Sequence, residues 1–278
     1  MPIVTSSAGT RVWFESRGHG PALVLVHGSF SDQRSNWALV MPELQRHFTV
    51  HAVARRGRGQ TDATVGHEVA DEGADVAAVV RALGEPAFLL GHSYGAHVAL
   101  AAAAQLPDQL RALLLYEAPW PHLIEAAVLA ELEAHARRRD WHALAKRFFG
   151  GVLDVPPAEL EALIASEHWG PILADAPASL GDAQAVVRLR FEAGRFAVLP
   201  MPVLLQTGAA SPREFYVTDA LARVLPRAHV DVLAGQAHEA MTTAPQRYVE
   251  AVLRFLRPLL AGTGEALVAE RSARRITA

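Results

Sequence analysis

One short segment limits most strongly what this chain can fold into. It holds a serine with a glycine two residues to each side, at the point where a buried strand passes directly into a helix. In AFLLGHSYGAHVALAAAA, residues 87–104, an apolar run stops at Gly91, Ser93 follows, and an alanine-rich segment begins at once. Glycines at 91 and 95 suit a sharp strand-to-helix turn, because side chains there would collide with the neighbouring strand and helix. Such a turn presents the serine hydroxyl beside the positive end of the following helix. Ser93 is therefore a candidate nucleophile, and a structural turn with an incidental serine is the alternative.

The sequence on both sides of this turn alternates between strand and helix patterns. Apolar runs typical of buried strands occur at 11–16, 22–28, 49–55, 87–92, 110–118, 201–208 and 228–235. Apolar residues at helical spacing lie between or after them, at 35–48, 68–83, 95–106 and 245–260. This alternation predicts an α/β fold with a mostly parallel, doubly wound sheet.

One long block interrupts the alternation. Residues 119–200 show helical patterns punctuated by prolines and no strand pattern of any weight. We therefore expect a core formed by 1–118 and 201–260 with a helical insertion at 119–200. Residues 261–278 lack strong periodicity, which predicts a loosely ordered tail.

The composition excludes several classes of protein. The chain has 278 residues, of which 51% are hydrophobic and 20% charged, which suits one large globular domain with an insertion. A net charge of −3 argues against binding nucleic acid or an anionic membrane. The absence of cysteine excludes disulfides, thiolate metal sites and a cysteine nucleophile. No signal-peptide pattern or membrane-spanning run is apparent, so we expect a cytoplasmic protein, and the sequence leaves its oligomeric state open.

Four short segments in order, LVLVHGSF, ARRGRGQTD, GHSYGA and GQAHEAM, resemble those of the α/β-hydrolase fold superfamily. The resemblance covers nearly all of residues 10–260 and is to the serine hydrolase, esterase-like branch that carries a helical cap. It implies that 119–200 is the cap, that the substrate is a small molecule, and that no cofactor or metal is needed. A serine at position 93 argues against the haloalkane dehalogenase and epoxide hydrolase relatives, whose nucleophile is an aspartate.

A histidine near the end of the chain is the expected general base. His238 follows the strand at 228–235 and precedes the closing helix, so it lies at the carboxyl edge of the sheet with Ser93. His92, His97 and His27 are interpreted as structural, with His27 ordering the loop after the strand at 22–28. The histidine spacings do not match a metal-ligand pattern.

The acid that orients the histidine is missing from its usual place. The resemblance places an aspartate a few residues after the strand at 201–208, but Ser211 stands there. Some members of the superfamily instead carry the acid just after the preceding strand, where Glu117 stands here. Adjacent strands lie roughly 4.8 Å apart, so a carboxylate there could still reach His238. We predict Glu117 as the acid and keep Glu214 as the alternative. The remaining possibilities are that Asp219 or Asp32 is the acid, or that Ser93 and His238 act without a third residue.

Backbone donors and aromatic side chains complete the predicted site. The N–H groups of Tyr94 and Ser29 are expected to stabilise an oxyanion, as the resemblance implies. Phe30, Trp120 and Trp169 are predicted to contact substrate. Finally, the charge run of Arg55, Arg56 and Arg58 forms either a solvated or salt-bridged loop or a site for an acidic substrate.

These features predict a serine hydrolase that cleaves a small or medium, largely apolar carboxylic ester through an acyl-enzyme. The same residues would serve a C–C bond hydrolase, a lactonase or a thioesterase. An alternative of another class is a hydrolase-like ligand-binding protein with little or no turnover.

Overall fold

The structure is a computed structural model that describes residues 2–63 and 66–276, without side chains beyond residue 260. Its strands are β1 (Ile3–Thr5), β2 (Arg11–Arg17), β3 (Ala22–Val26), β4 (Thr49–Val53), β5 (Ala87–His92), β6 (Leu110–Tyr116), β7 (Val203–Gly208) and β8 (Ala228–Leu233). They form one sheet in the order β1-β2-β4-β3-β5-β6-β7-β8. Strands β3 to β8 run parallel, while β2 pairs antiparallel with β4 and β1 antiparallel with β2.

Helices follow most of the strands. They are α1 (Met41–Leu44), α2 (Val69–Leu83), α3 (Tyr94–Ala103), α4 (Ala126–Arg137), α5 (Trp141–Gly151), α6 (Pro157–Ile164), α7 (Trp169–Arg188), α8 (Thr218–Val224), α9 (Ala240–Thr243) and α10 (Pro245–Ile276). Every residue of β3, β5 and β7 is buried, as expected of parallel strands covered on both faces. Alternate β3 side chains enter opposite clusters, because successive side chains of a strand point to opposite faces. Val24 packs in the cluster of α2 and α3, whereas Leu25 packs in that of α1 and α10. The predicted α/β class is confirmed.

Helices α4 to α7 all lie between β6 and β7, the segment for which only helices were predicted. Leu132, Leu144 and Ala183 of this segment belong to the same apolar cluster as α2 and α3. Within the described residues, the one β-type pairing of this segment is an isolated antiparallel bridge between Pro119 and Tyr216. The helical segment therefore shares one apolar core with α2 and α3.

The predicted elements differ from the structure in a few short places. The helix expected at 35–48 is reduced to α1, with Pro42 in its first turn, where a missing N–H is tolerated, and the residues before α1 form consecutive turns. Strand β1 and helices α8 and α9 were not predicted. Strand β1 has 3 residues and α9 has 4, too few to establish a periodicity.

The backbone of α10 continues to Ile276, through most of the segment predicted to be a loose tail. The side chains of 261–276 and all of 277–278 lie outside the described residues, so the order of this tail stays a prediction. No helix in the described part of the chain is both long enough and apolar enough to cross a membrane.

Candidate active site

Ser93 occupies a strained turn between β5 and α3. Its backbone angles are φ 55° and ψ −125°, a left-handed conformation that costs free energy in a residue with a side chain. The Ser93 N–H donates to the carbonyl oxygen of Tyr116 at 2.9 Å, which ties the turn to the end of β6. The side chain remains partly exposed and lines a cavity. The fold thus holds a serine hydroxyl at the carboxyl edge of the sheet.

The glycines on each side of Ser93 are required by close packing. A Cβ on Gly91 would lie 2.4 Å from the carbonyl oxygen of Gly95. A Cβ on Gly95 would lie 2.3 Å from the carbonyl oxygen of His27 and 2.4 Å from that of Val26. Helix α3 therefore begins directly against the end of β3, as the spacing of the two glycines predicted.

His238 lies in the loop between β8 and α9 and lines the same cavity as Ser93. Three contacts hold this loop in place. The Tyr116 hydroxyl donates to the carbonyl oxygen of Ala237 at 2.5 Å, and His92 Nε2 donates to that of His238 at 3.0 Å. The ring of Tyr216 stacks on the imidazole with the two planes 10° apart. The imidazole is therefore fixed from the sheet side and from one ring face.

Glu117 follows β6 and accepts a hydrogen bond from His238 Nδ1 at 2.7 Å through Oε2. Its Oε1 accepts from the Gly208 N–H at 2.7 Å and the Thr207 hydroxyl at 2.9 Å. Glu117 is 1% exposed and adopts a φ of 50°, which turns its side chain back over the ends of the strands. Because a carboxylate only accepts hydrogen bonds, His238 Nδ1 carries the proton, and its Nε2 is left as an acceptor.

The other acids proposed from the sequence lie elsewhere. Glu214 is exposed on a short turn, and Asp219 forms an ion pair with Arg213. Asp32 accepts hydrogen bonds from the backbone of the turn that follows it. Among the described residues, Glu117 is the carboxylate that hydrogen-bonds to the His238 imidazole, while a carboxylate oxygen of Glu239 lies within 4.8 Å of a ring nitrogen.

The two groups shift each other's pKa in opposite directions. Burial alone would raise the pKa of the Glu117 carboxyl, but the hydrogen bond and charge of His238 outweigh it and lower that pKa. Burial alone would lower the pKa of His238, but the hydrogen bond and charge of Glu117 raise it above its ordinary value. Their pairing therefore favours the ionised carboxylate and stabilises an imidazolium.

Ser29 and Tyr94, the predicted oxyanion donors, both line the cavity. In the part of the chain that the structure describes, the Ser29 N–H donates no hydrogen bond. Tyr94 is the first residue of α3, so its N–H has no acceptor within the helix. Both backbone donors are thus available beside Ser93.

The cavity is mostly apolar and has about 460 Å³ of space not filled by atoms. Its walls come from the ends of the sheet and from the helical segment: Ser29, Ser93, Tyr94, Pro119, Trp120, Leu123, Ile124, Phe148, Val152, Leu153, Asp182, Ala183, Val186, Tyr216 and His238. Of the three side chains predicted to contact substrate, Trp120 lines it, whereas Phe30 and Trp169 do not. Phe30 packs behind the wall with its ring 4.7 Å from that of Phe148, and Trp169 donates to His142 Nδ1.

The arginine run is buried and ion-paired. Arg55 contacts Glu72 and Asp182, Arg56 contacts Asp75, and Arg58 contacts Asp175 and Asp182. This arrangement fits the interpretation of the arginine run as a salt-bridged loop, and it does not fit a solvated loop. None of the three arginines lines the cavity.

Two groups of side chains bring potential metal ligands within 4.8 Å of one another: His92, His238 and Glu239, and His67, Glu72 and Asp182. In the first group the histidines are engaged by the carbonyl oxygen of His238 and by Glu117. In the second the Arg55 guanidinium lies against both carboxylates. A cation would have to displace these partners, so neither group has the open ligand set of a metal site.

Several residues that line the cavity were missed from the sequence, and the polar ones among them are Tyr216 and Asp182. Tyr216 lies in a loop with no periodic pattern. The acidic and hydroxyl residues of α7 do recur at one-turn spacing, as Asp175, Ser179 and Asp182, and such a polar face within an apolar helix was a usable signal. Its arginine partners lie more than 100 residues away, so the sequence did not identify them.

The chain is similar in sequence to several known hydrolases. A model of the alpha/beta hydrolase family matches residues 23–251. The 2-(acetamidomethylene)succinate hydrolase of Mesorhizobium japonicum is 28% identical over 254 residues, covering 86% of this chain and 89% of that protein. A pimeloyl-(acyl-carrier protein) methyl ester esterase of Xylella fastidiosa is 33% identical over 128 residues, covering 43% of this chain and 48% of that protein.

A similar solved structure extends the match over the whole fold. An alpha/beta hydrolase from Sphaerobacter thermophilus superposes with a TM-score of 0.81 at 30% identity, covering 92% of this chain and 100% of that one. The family match and this structural match lead to the same conclusion: the chain belongs to the alpha/beta hydrolase family and is a hydrolase.

Proposed function

We propose that this hydrolase cleaves carboxylic esters through an acyl-enzyme, with Ser93 as nucleophile, His238 as general base and Glu117 as the orienting acid. One observation carries the proposal: a serine on a strained turn and a hydrogen-bonded histidine–carboxylate pair meet at one apolar cavity. A serine hydroxyl needs both an outward-facing turn and a neighbouring base to act as a nucleophile.

The pairing of His238 with Glu117 supports the assigned roles. Glu117 keeps the proton on Nδ1, so Nε2 accepts the Ser93 proton as the serine oxygen attacks the ester carbonyl. The imidazolium then gives this proton to the leaving alkoxide as the C–O bond breaks. In the second half, His238 takes a proton from the water that attacks the acyl carbon. The imidazolium then gives this proton to Ser93 Oγ as the Oγ–C bond breaks, which releases the acid and restores the enzyme. No cofactor takes part in these steps.

The negative oxygen of each tetrahedral intermediate is stabilised by backbone donors. We assign these to the N–H groups of Tyr94 and Ser29, because both residues line the cavity and neither N–H has another acceptor among the described residues. Donors fixed before the reaction are worth more than mobile ones, since no reorganisation is needed as charge develops.

The cavity wall favours an uncharged acyl group. The wall contains apolar side chains from Trp120 to Val186 and, among the described residues, no lysine or arginine, so these residues offer no such counter-ion for a substrate carboxylate. Asp182, its one carboxylate, is itself paired with arginines. Although the Mesorhizobium relative is named for a succinate, we propose a small or medium neutral substrate for this chain.

Helices α4 to α7 act in this proposal as a cap. They supply Phe148, Val152 and Val186 to the cavity, while the sheet ends supply Ser93 and His238. These two contributions support the proposed division into a core of 1–118 and 201–260 and a cap of 119–200.

A fluorophosphonate probe and a graded ester panel test the proposal. The protein should be labelled by the probe and should hydrolyse p-nitrophenyl esters of short to medium acyl length, and Ser93→Ala should lose both properties. Matched thioester and lactone substrates run beside the esters report the preferred bond. Absence of labelling in the wild-type chain, or esterase activity that survives Ser93→Ala, would show that the assignment is wrong and would favour a binding protein.

A further inference from the structure

One face of helix α7 is bonded to the loop that carries the proposed oxyanion donor. Asp182 Oδ2 accepts a hydrogen bond from the Ser29 hydroxyl at 2.8 Å. One turn earlier, the Ser179 hydroxyl accepts from the Phe30 N–H at 2.7 Å. Residues three apart lie on the same helix face, so the two bonds act together. The helical segment thus holds two successive residues of the loop after β3.

Asp182 is itself anchored by two buried arginines. Arg55 donates to both carboxylate oxygens at 2.9 and 2.6 Å, and Arg58 donates to both at 3.1 and 2.8 Å. The side chain of Asp182 is 1% exposed. Burial alone would raise the pKa of the Asp182 carboxyl, but the two guanidinium charges outweigh it and hold that pKa well below its usual range. Both oxygens are therefore fully occupied, and Asp182 does not serve as an acid or base although it lines the cavity.

Arg55 also connects this network to Tyr94, the second proposed oxyanion donor. Arg55 donates to the carbonyl oxygens of His27 and Gly28, at 2.9 Å in each case, and so holds the backbone leading into Ser29. Glu72 accepts from Arg55 and from the Tyr94 hydroxyl, the latter at 2.9 Å. A continuous buried chain of contacts therefore joins Ser29 to Tyr94 through two carboxylates and one guanidinium.

The loop needs these contacts to keep its shape. Phe30 adopts a φ of 55°, which costs a non-glycine residue about 1 kcal/mol or more and persists only where the surrounding structure imposes it. Its N–H is held by Ser179, and the Ser29 hydroxyl uses its single proton on Asp182. The Ser29 hydroxyl is therefore not a donor to substrate, and the position of the Ser29 N–H depends on the helix opposite.

We propose that Asp182 is a positioning residue for the hydrolysis, which from the helical segment fixes the Ser29 loop so that its N–H meets the developing oxyanion. This inference rests on the proposed function. It makes the helical segment part of the apparatus that stabilises the transition state, in addition to a wall of the cavity.

Asp182→Asn tests the inference, because it keeps the shape of the side chain and removes the charge that holds the arginines. We expect kcat for a p-nitrophenyl ester to fall about 10- to 100-fold with KM changed by less than about threefold, since a displaced oxyanion donor acts on the transition state. The affinity for an alkyl boronic acid, whose tetrahedral adduct places an oxygen in the same position, should fall in parallel.

Asp75→Asn is the matched control. Asp75 is also buried and also binds an arginine, Arg56, through both oxygens, but it does not line the cavity. It should lower the melting temperature and leave kcat and boronate affinity near those of the wild type. If Asp182→Asn folds and keeps the wild-type kcat, or if Asp75→Asn loses as much, the positioning role is refuted.

Ser29→Ala keeps the inference testable if Asp182→Asn fails to fold, because it removes the anchor without leaving a buried charge unpaired. It should lower kcat and boronate affinity about 3- to 10-fold with little change in KM. Unchanged values in Ser29→Ala would overturn the inference while Ser93→Ala, run beside it, still reports on the hydrolase. A wild-type chain that neither hydrolyses esters nor reacts with a fluorophosphonate would instead refute the proposed function, and this inference with it.

Discussion

Tyr216 lies flat against His238, with ring planes 10° apart and centroids 5.5 Å apart. Its position is fixed by the backbone, because Tyr216 forms a β-bridge with Pro119, two residues after Glu117. The segment after β6 therefore carries both the carboxylate that bonds to Nδ1 and the bridge that holds the stacked ring. The orientation of the imidazole is set in its plane by Glu117 and out of its plane by Tyr216.

Removing this ring should free the imidazole to tilt. Tyr216→Ala is expected to lower kcat about tenfold, since aromatic stacking contributes about 0.5–1.5 kcal/mol beyond burial and 1.36 kcal/mol corresponds to a factor of ten. Tyr216→Phe keeps the ring and should stay within about threefold of the wild type. Steady-state kinetics of the two variants make the comparison. Equal losses in both would assign the effect to the hydroxyl instead of to stacking.

Glu117→Gln should lower kcat by about 10³- to 10⁴-fold, because the amide no longer holds the correct histidine tautomer or stabilises the imidazolium. Glu214→Gln is the matched control, since Glu214 is an exposed glutamate that does not contact His238. Its kcat should equal that of the wild type. A near-normal kcat in Glu117→Gln, or a large loss in Glu214→Gln, would transfer the role of acid away from Glu117.

The pH profile should reflect the raised pKa of His238. Only neutral His238 accepts the Ser93 proton, so kcat/KM should rise with pH to a plateau. Because Glu117 raises the pKa of His238, the midpoint should lie above the ordinary value of about 6.5. In Glu117→Gln the residual activity should show a midpoint at lower pH, since the hydrogen bond and charge of Glu117, the largest contributions that raise the pKa of His238, are gone. A midpoint that moves upward in this variant would contradict the interaction.

Gly95→Ala should destabilise the protein without touching a reacting group. The new methyl would lie 2.3 Å from the carbonyl oxygen of His27, so helix α3 would have to move from β3 at a cost of about 3 kcal/mol. For a chain of this length, this corresponds to a fall of about 5 °C in melting temperature. Gly170→Ala is the control, because nothing lies within 4 Å of a Cβ there and alanine favours a helix. Its melting temperature should be equal to or above that of the wild type.

Substitution of Trp120 should change the selectivity for acyl length, whereas substitution of Trp169 should change only the stability of the protein. Trp120 lines the cavity, so Trp120→Ala should raise kcat/KM for an octanoyl ester over a butanoyl ester by about tenfold or more. Trp169→Ala should leave this ratio unchanged and lower stability by about 3–5 kcal/mol, because Trp169 is 6% exposed and packs outside the cavity. Acyl-length profiles and thermal melts of both variants provide the measurements. If the ratio of octanoyl to butanoyl kcat/KM changes in Trp169→Ala and not in Trp120→Ala, the assignment of Trp120 to the cavity wall is wrong.

Much of the fold could be predicted because its signals are local. Continuous apolar runs identified β3, β5, β6 and β7, and the paired glycines around Ser93 located the turn, since both follow from which side chains a strand or a tight turn accepts. The position of His238 followed from the same reasoning, because parallel strands bring their carboxyl ends to one edge.

The contacts between distant segments were decided by the tertiary structure alone. Glu117 was preferred over Glu214 by strand order, but its bond to His238 depends on a left-handed turn that no periodicity encodes. Trp169 packs away from the cavity, and Asp182 meets Arg55 across 127 residues, because helix α7 adopts one particular orientation on the sheet. The sequence by itself determined which faces are apolar and where the chain turns. Only packing determined which buried charges pair, because a charge is stabilised by the partner that folding brings within hydrogen-bond distance, however far away that partner lies in the chain.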